Sequence, residues 1–514
     1  MGSQAKFSPL LPLASKLLQA KCRSHDRTHV EFDLTIAASP QREERALWET
    51  YIFAPASFRL EDYYPKDELY EDLHSYWQTV PAGDDAATDS FVAVLLRDLA
   101  SGSHASQTGT RILASRARDR ILVHLDPLRS PDAAADHFEN LHAELLRWRA
   151  RVDRVLACPV EDETLRVYRA WMDEDVSLLI EDVAANFAHD LAIRGDEEPW
   201  KSIREVYTEL ALREARHRQN LGYDSVGHAD LSERGLEHLV FRRQFLKRFN
   251  GSIDWLPANV RAGASISLQI VYALAAGLAM VIALLAALGV PTNGDQAMRY
   301  VLMGGFVYAV KDRLKANLQN FLARWLARRA PDRFWHVQTS NGQTLATVDE
   351  RAAFLTFAQT PPDVLEVRRQ TRAHRLEESA RPETVIHHRK VVTVQPLDED
   401  PSTLRASALR EIVRLHIGEW LENTDDPKQR VVMADPTLGS LITSKARRVY
   451  NVNILYRLQA VNEAPRWNRV RVVVARSGIV RVDAIGAADE GAVHAVPSIH
   501  VDPVPSVRLD PDID

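Results

Sequence analysis

The 514-residue chain is 46% apolar, 26% charged and 7% aromatic, with a net charge of −6, and it exceeds what one hydrophobic core usually organises, so two or three domains are expected. Its mild acidity excludes a chain that is basic throughout, and no nucleic acid is expected as a partner. Only Cys22 and Cys158 are present, far apart, which supports neither a disulfide framework nor a structural zinc site.

The opening "MGSQAKFSPLLPLASKLLQAK" lacks the long apolar run that a secretory signal needs. Residues 28–37, "THVEFDLTIA", set Val30, Phe32, Leu34 and Ile36 on one face and polar side chains on the other, which predicts a strand with one buried face. A second strand, "WETYIFA" at 48–54, is expected to pair with it. Pro65 then opens a predicted helix through Trp77, with Leu69, Leu73 and Trp77 on one face.

From about Asp89 to Phe249 the pattern is helical, broken at "SGSHASQTG", "SPDAA", "CPVED", "RGDEEPW" and "LGYDSVG", which predicts an array of five or six helices. Residues 153–198 hold thirteen acids against four arginines. Such a block is ordinarily a solvated acidic face; the sharper expectation is a surface that docks basic segments further along the chain.

No charged residue occurs from 262 to 294. A bilayer core about 30 Å thick needs roughly 20 helical residues, so "ISLQIVYALAAGLAMVIALLAALGV" at 266–290 predicts a transmembrane span. "YVLMGGFVYAV" follows as a shorter second span whose Arg299 and Lys311 snorkel to opposite interfaces. Basic flanks set the orientation: Arg242, Arg243, Lys247, Arg248 and Arg261 before the first span, and Lys311, Arg313 and Lys315 after the second, place both termini in the cytoplasm. Ala275, Ala279, Ala283 and Ala287 on the first span, with Gly305 and Ala309 on the second, form a small-residue seam for close helix packing. That seam serves either a tight hairpin or a homo-oligomer.

Beyond the hairpin, "FWHVQTSNGQTLATV" and "TVIHHRKVVTVQPL" predict strands, "PDVLEVRRQTRAHRLEESA" and "PSTLRASALREIVRLHIGEWLE" predict helices, and 447–485 predicts a meander with an Arg-Ser-Gly turn. The fold class expected is an α+β membrane protein. A mostly helical N-terminal region with a short strand pair (1–257) precedes a transmembrane hairpin and juxtamembrane helix (258–330). A mixed α/β domain with an antiparallel meander (331–486) and a disordered tail (487–514) follow.

Chemistry-bearing motifs are sparse. No GxSxG, Walker A or GxGxxG occurs. His387 and His388, adjacent on a predicted strand, point to opposite faces and are poor joint metal ligands. ExxH spacing at Glu71/His74, Glu139/His142 and Glu214/His217 evokes the di-metal bundles, yet eighteen histidines in a Glu-rich chain produce such spacings by chance. A di-metal oxidoreductase is a remote alternative.

Several segments together resemble a family of uncharacterised bacterial two-span inner-membrane proteins: "YYPKDELYEDL", "MDEDVSLLIED", "FRRQFLKRF", "GLAMVIALLAAL", "YAVKDRLK" and "RVYNVNILYR" with "VRVVVARSGIVRV". The resemblance implies a multi-pass inner-membrane location with cytosolic N- and C-terminal domains, and no known activity. The functional expectation is a non-enzymatic scaffold, sensor or partner-docking platform. It would need no cofactor and would work with the lipid bilayer, a cytosolic protein partner and further copies of itself. A regulated oligomeric effector that permeabilises the bilayer is the alternative.

Overall fold

The computed structural model describes residues 18–81, 85–125, 128, 134–194, 197–225, 233–262, 265–288, 297–327, 331–339, 341–370, 383–397, 406–435, 440–460 and 463–485. The expected disordered tail lies outside them. Alternating apolar residues lay down β1 (Leu18–Ser24), β2 (His29–Ala37) and β3 (Glu44–Pro55), followed by the short helices α1 (Leu60–Tyr63) and α2 (Lys66–Asp72) and by β4 (Leu73–Pro81). Six helices follow: α3 (Asp85–Ala100), α4 (Ala105–Leu125), α5 (Ala135–Leu156), α6 (Glu163–Arg194), α7 (Trp200–Leu221) and α8 (Glu233–Gly251). The chain then returns through β5 (Trp255–Leu256) and β6 (Ala258–Ala262), and leaves again as α9 (Ser265–Leu288) and α10 (Ala297–Ala327). Next come β7 (Arg333–Gln338), β8 (Thr344–Leu355), α11 (Pro362–Gln370), β9 (Glu383–Val394) and β10 (Ala406–His416). The last elements are β11 (Lys428–Asp435), β12 (Ser440–Arg447), β13 (Tyr450–Ala460), β14 (Arg466–Ala475) and β15 (Gly478–Ala484).

The strands form a five-stranded sheet, β1-β2-β10-β4-β5, and an eight-stranded sheet, β15-β14-β13-β3-β9-β8-β7-β6, with every pairing antiparallel. Their inner faces share one core, in which Val30, Phe32, Leu34 and Leu409 of the first sheet meet Trp48, Ile52, Ile454 and Tyr456 of the second. Phe32 lies 5.5 Å from Trp48 and 6.0 Å from Tyr456, ring centre to ring centre, within the range of favourable aromatic pairing. The chain crosses between the sheets at Pro257, where β5 ends one and β6 begins the edge of the other. Strands from 1–257 and from 331–486 therefore interleave: β10 lies between β2 and β4, and β3 between β13 and β9.

At the opposite edge the β14–β15 turn closes on the β1–β2 turn. Gly478 has φ 121° and Ile479 N–H donates 2.6 Å to the Arg27 carbonyl; a Cβ at Gly478 would collide with that same oxygen.

Several expectations are corrected here. β2 and β3 are not a pair but lie in opposite sheets. The helix opened by Pro65 stops at Asp72, and Trp77 sits in β4, facing the core; its 4-residue spacing from Leu73 also satisfies the period of a strand. The segment expected as a helix around 401–422 contains β10, the middle strand of the first sheet. Its inner face reads Leu409, Glu411, Val413, Leu415, all buried, and the acid in that row conceals the alternation.

The expected membrane protein is corrected too. Among the described residues no helix is long and apolar enough to cross a membrane, which overturns the transmembrane hairpin and the multi-pass inner-membrane location. In α10, Lys311, Asp312, Arg313 and Lys315 interrupt the apolar run.

The helical array is organised by α6. Its consecutive Asp173, Glu174 and Asp175 are all buried, and at about 100° per residue they leave the helix in three directions. Asp173 meets Arg149 of α5 at 2.5 Å and His217 of α7 at 2.8 Å, Glu174 meets Arg242 of α8 at 2.7 Å, and Asp175 meets Arg118 of α4 at 2.6 Å. Within the acidic block only Glu174 and Asp182 receive basic side chains of α8, Arg242 and Arg243, while Asp153, Glu161, Asp162, Glu163, Asp190, Glu197 and Glu198 are exposed, so most of the block is the ordinary solvated face.

Replacing Gly478 with alanine forces both a left-handed backbone and a clash with Arg27, so Gly478→Ala is expected to cost about 1–3 kcal/mol. Urea denaturation of the full chain measures this, and an unchanged midpoint would refute the closure described for this edge.

Candidate functional site

The densest group of titratable side chains lies between the two sheets. Along β9 the inner positions read Ile386, His388, Lys390, Val392 and Val394, so the strand period carries two basic groups inward among aliphatics. Lys390 is directly opposite Glu350 of β8, and Glu411 of β10 approaches it from the facing sheet. Its ammonium lies 2.5 Å from Glu411 Oε1, 3.4 Å from Glu350 Oε1 and 3.3 Å from Ser75 Oγ of β4. The Ser75 hydroxyl donates to Glu411. His388 Nε2 stands 2.8 Å from Glu350 Oε1, and Trp335 Nε1 donates 2.9 Å to Glu350 Oε2.

Burial acts against each of these charges, and the neighbours outweigh it. Desolvation alone would raise Glu350, but the Lys390 charge and the bonds from His388 and Trp335 hold it well below the usual carboxylate range. Desolvation alone would lower Lys390, but Glu350 and Glu411 hold it above the usual lysine value. Lys390 is 1% exposed and Glu411 0%. The adjoining cavity, lined by Phe32, Trp48, Thr50, His388, Val413 and Leu415 among others, measures about 10 Å³, at the lower limit for one water. A group so enclosed meets no substrate, and this network joins the sheets.

A second polar contact seats the helical array on the first sheet. Asp254, in the 3-10 turn before β5, accepts from Ser115 of α4 and, at 3.4 Å, from Thr79 of β4. Asp119, one turn along α4 from Ser115, is pushed up to about 6, first by burial and then by the Asp254 charge. The neighbouring Arg410 of β10 is engaged by Asp33 of β2 at 2.7 Å.

The structure separates the residues singled out in the sequence. Arg242 and Arg243 face α6, with Arg243 2.5 Å from Asp182. Lys247 and Arg248 are exposed on α8, Arg261 is exposed on β6, and Arg313 is exposed on α10. Lys311 lies 4.1 Å over the Tyr308 ring, and Lys315 is half-buried. Ala275 and Ala279 are buried on α9, which packs along α10. The side chains of Ala283 and Ala287 lie outside the described residues. Gly305 and Ala309 are exposed, and a Cβ at Gly305 would meet nothing within 4 Å, so these two do not share the seam.

The ExxH pairs do not converge. Glu71 and His74 fall on α2 and β4, Glu214 is 3.4 Å from Arg149, and His217 is held by Asp173. Among the described residues no three or more His, Cys, Asp or Glu side chains are placed to hold a metal ion. His387 and His388 do face opposite sides of the sheet, with His387 stacked on Tyr51 at 4.5 Å and His388 in the core.

The accessible feature is the α9–α10 pair. Leu274, Leu278, Val281 and Leu285 recur at 4-3-4 spacing along α9 and are 52–66% exposed, within a broader exposed apolar face that also carries Met280, Ile282 and Leu284. This apolar stripe adjoins the buried alanines, and its spacing is that of a helix-pairing seam. Phe306 and Val310, one turn apart on α10, are exposed as well. The chain matches no family model, no curated protein and no solved structure.

Two outcomes follow. Lys390→Met leaves two buried carboxylates without their counter-charge and is expected to lower stability by about 3–5 kcal/mol. A depressed Glu350 supports the fold above about pH 4.5 and loses this as pH falls, and a raised Lys390 does so up to about pH 10.5 and loses it as pH rises. Urea melts at pH 7 should therefore show the full difference, and a variant as stable as the parent would contradict the network's role.

Asp119 behaves in the opposite sense. An acid raised from 3.8 to about 6 costs the fold stability as pH rises through that interval, with the whole penalty present above it. Asp119→Asn should then be more stable than the parent by roughly 1–3 kcal/mol at pH 7.5. The gain should shrink toward zero near pH 4, and a gain independent of pH would count against the assignment.

Proposed function

We propose that the chain is a non-enzymatic docking platform that self-associates through the outward face of α9 and α10. The observation that carries this is the 4-3-4 stripe of Leu274, Leu278, Val281 and Leu285, exposed on a helix pair that leaves the sandwich between two neighbouring strands, β6 and β7. Monomeric proteins rarely leave contiguous apolar surface uncovered. An isologous contact sets the same stripe against itself and needs no further chemistry, and two-fold pairs are the commonest assemblies. The exposed row on α10 passes from Phe306 and Val310 into Arg313 and Asn317. A mixed row of this kind suits a protein interface with a polar rim and is costly in hydrocarbon.

The test is sedimentation velocity on the full chain across a concentration series, with Leu278→Lys/Leu285→Lys as the variant. The parent should sediment as a dimer or larger. The variant, with an unchanged circular dichroism spectrum, should need at least about 100-fold more protein to associate, since two apolar contacts are exchanged for opposed charges. A monomeric parent, or a parent that floats with lipid vesicles through this stripe without pairing, would overturn the proposal.

A further inference from the structure

The strands β11 and β12 form a two-stranded sheet that pairs with neither of the others. Their register places Lys428 directly opposite Arg447 and Arg430 directly opposite Lys445. Positions two apart share a face, so all four cations line one side of the ribbon, and all four are exposed. Like charges directly opposite destabilise a strand pair, and an isolated two-stranded ribbon is marginal in water to begin with. Among the described residues none of the four has an ion-pair partner. The acids at the base of the ribbon are engaged elsewhere: Asp425 lies 2.9 Å from Arg448 and 3.0 Å from the Tyr450 hydroxyl, and Asp426 lies 3.5 Å from Arg476.

We propose that the β11–β12 ribbon is a binding site for duplex nucleic acid, its opposed cation pairs seated on backbone phosphates. Successive pairs are about 6.6–6.8 Å apart along the ribbon, so they address a row of anions rather than one. The major groove admits a two-stranded antiparallel ribbon. The same face continues into Val432 and Leu441, the latter 74% exposed, which supply apolar contact to base edges beyond the phosphates. Contacts to phosphate carry no sequence information, so the four cations supply affinity without regard to sequence. The chain's net charge is −6, but residues 428–447 carry Lys428, Arg430, Lys445 and Arg447 against the single acid Asp435, so the ribbon is locally basic.

The experiment is fluorescence anisotropy of a labelled duplex of about 20 base pairs with the full chain, from 50 to 200 mM salt. Four phosphate contacts predict a slope of log K against log salt near −3.6, about 150-fold weakening over that range. Arg430→Ala/Lys445→Ala, at exposed positions that leave the fold intact by circular dichroism, should halve the slope, giving about 12-fold weakening, and should bind less tightly at 50 mM. The charge-retaining Arg430→Lys/Lys445→Arg should bind as the parent does. A parent that does not bind the duplex, an alanine variant that binds it equally well, or a ribbon that retains anionic vesicles or an acidic protein but not the duplex would each overturn the proposal.

Discussion

Lys390 carries its charge where water does not reach, and the protein tolerates this because β8 and β10 each bring a carboxylate to it. A single buried ion costs several kcal/mol, and a pair repays that only when geometry is good and the remaining lone pairs are bonded. Here Ser75, His388 and Trp335 take further positions, while Glu411 Oε2 has no hydrogen-bond partner among the described residues, so the cost is met by five strands at once and not in full. The network also discriminates. A slip of one residue in β9 would turn Lys390 and His388 to the outer face and part them from Glu350 and Glu411, so the ions favour the observed alignment of these strands.

The helical array repeats the principle along a helix. Three consecutive acids on α6 reach α4, α5, α7 and α8, and the surrounding apolar core then fills in around Trp148, Met172 and Ile180. The array meets the first sheet through Asp254, Ser115 and Thr79, and the raised Asp119 makes that junction responsive to mildly acidic pH. Both helical excursions leave and re-enter between neighbouring strands, β4 with β5 and β6 with β7, so neither disturbs the pairing of the sandwich.

Much of the local structure was legible in the sequence. The alternation at Val30, Phe32, Leu34 and Ile36, the helical stretch with its breaks, the strands on either side of "SNGQ" and the Arg-Ser-Gly turn all follow from period and turn chemistry. What was not legible has physical reasons. Glu411 occupies an inward position of β10, and an acid among apolar residues reads as a helix surface until its partner is known. β2 and β3 looked like a hairpin because they are adjacent in the chain, whereas their partners β10 and β13 lie hundreds of residues away. The apolar content of α9 reads as lipid surface, and Leu274, Leu278, Val281 and Leu285 at 4-3-4 spacing within it are equally suited to a helix partner. Lys428, Arg430, Lys445 and Arg447 are ordinary when spaced along a chain, and only register makes them one face.

The interleaving of distant strands sets a timetable for synthesis. β2 and β3 pair with β10 and β13, which are made after the helical array and the α9–α10 pair have left the ribosome. At about 5–20 residues per second, these first strands wait roughly 20–75 s for their partners, with their apolar inner faces uncovered. The array, whose contacts are local, can fold during that interval. A chain ordered in this way depends on whatever shelters the residues around Phe32 and Trp48 until its last quarter arrives.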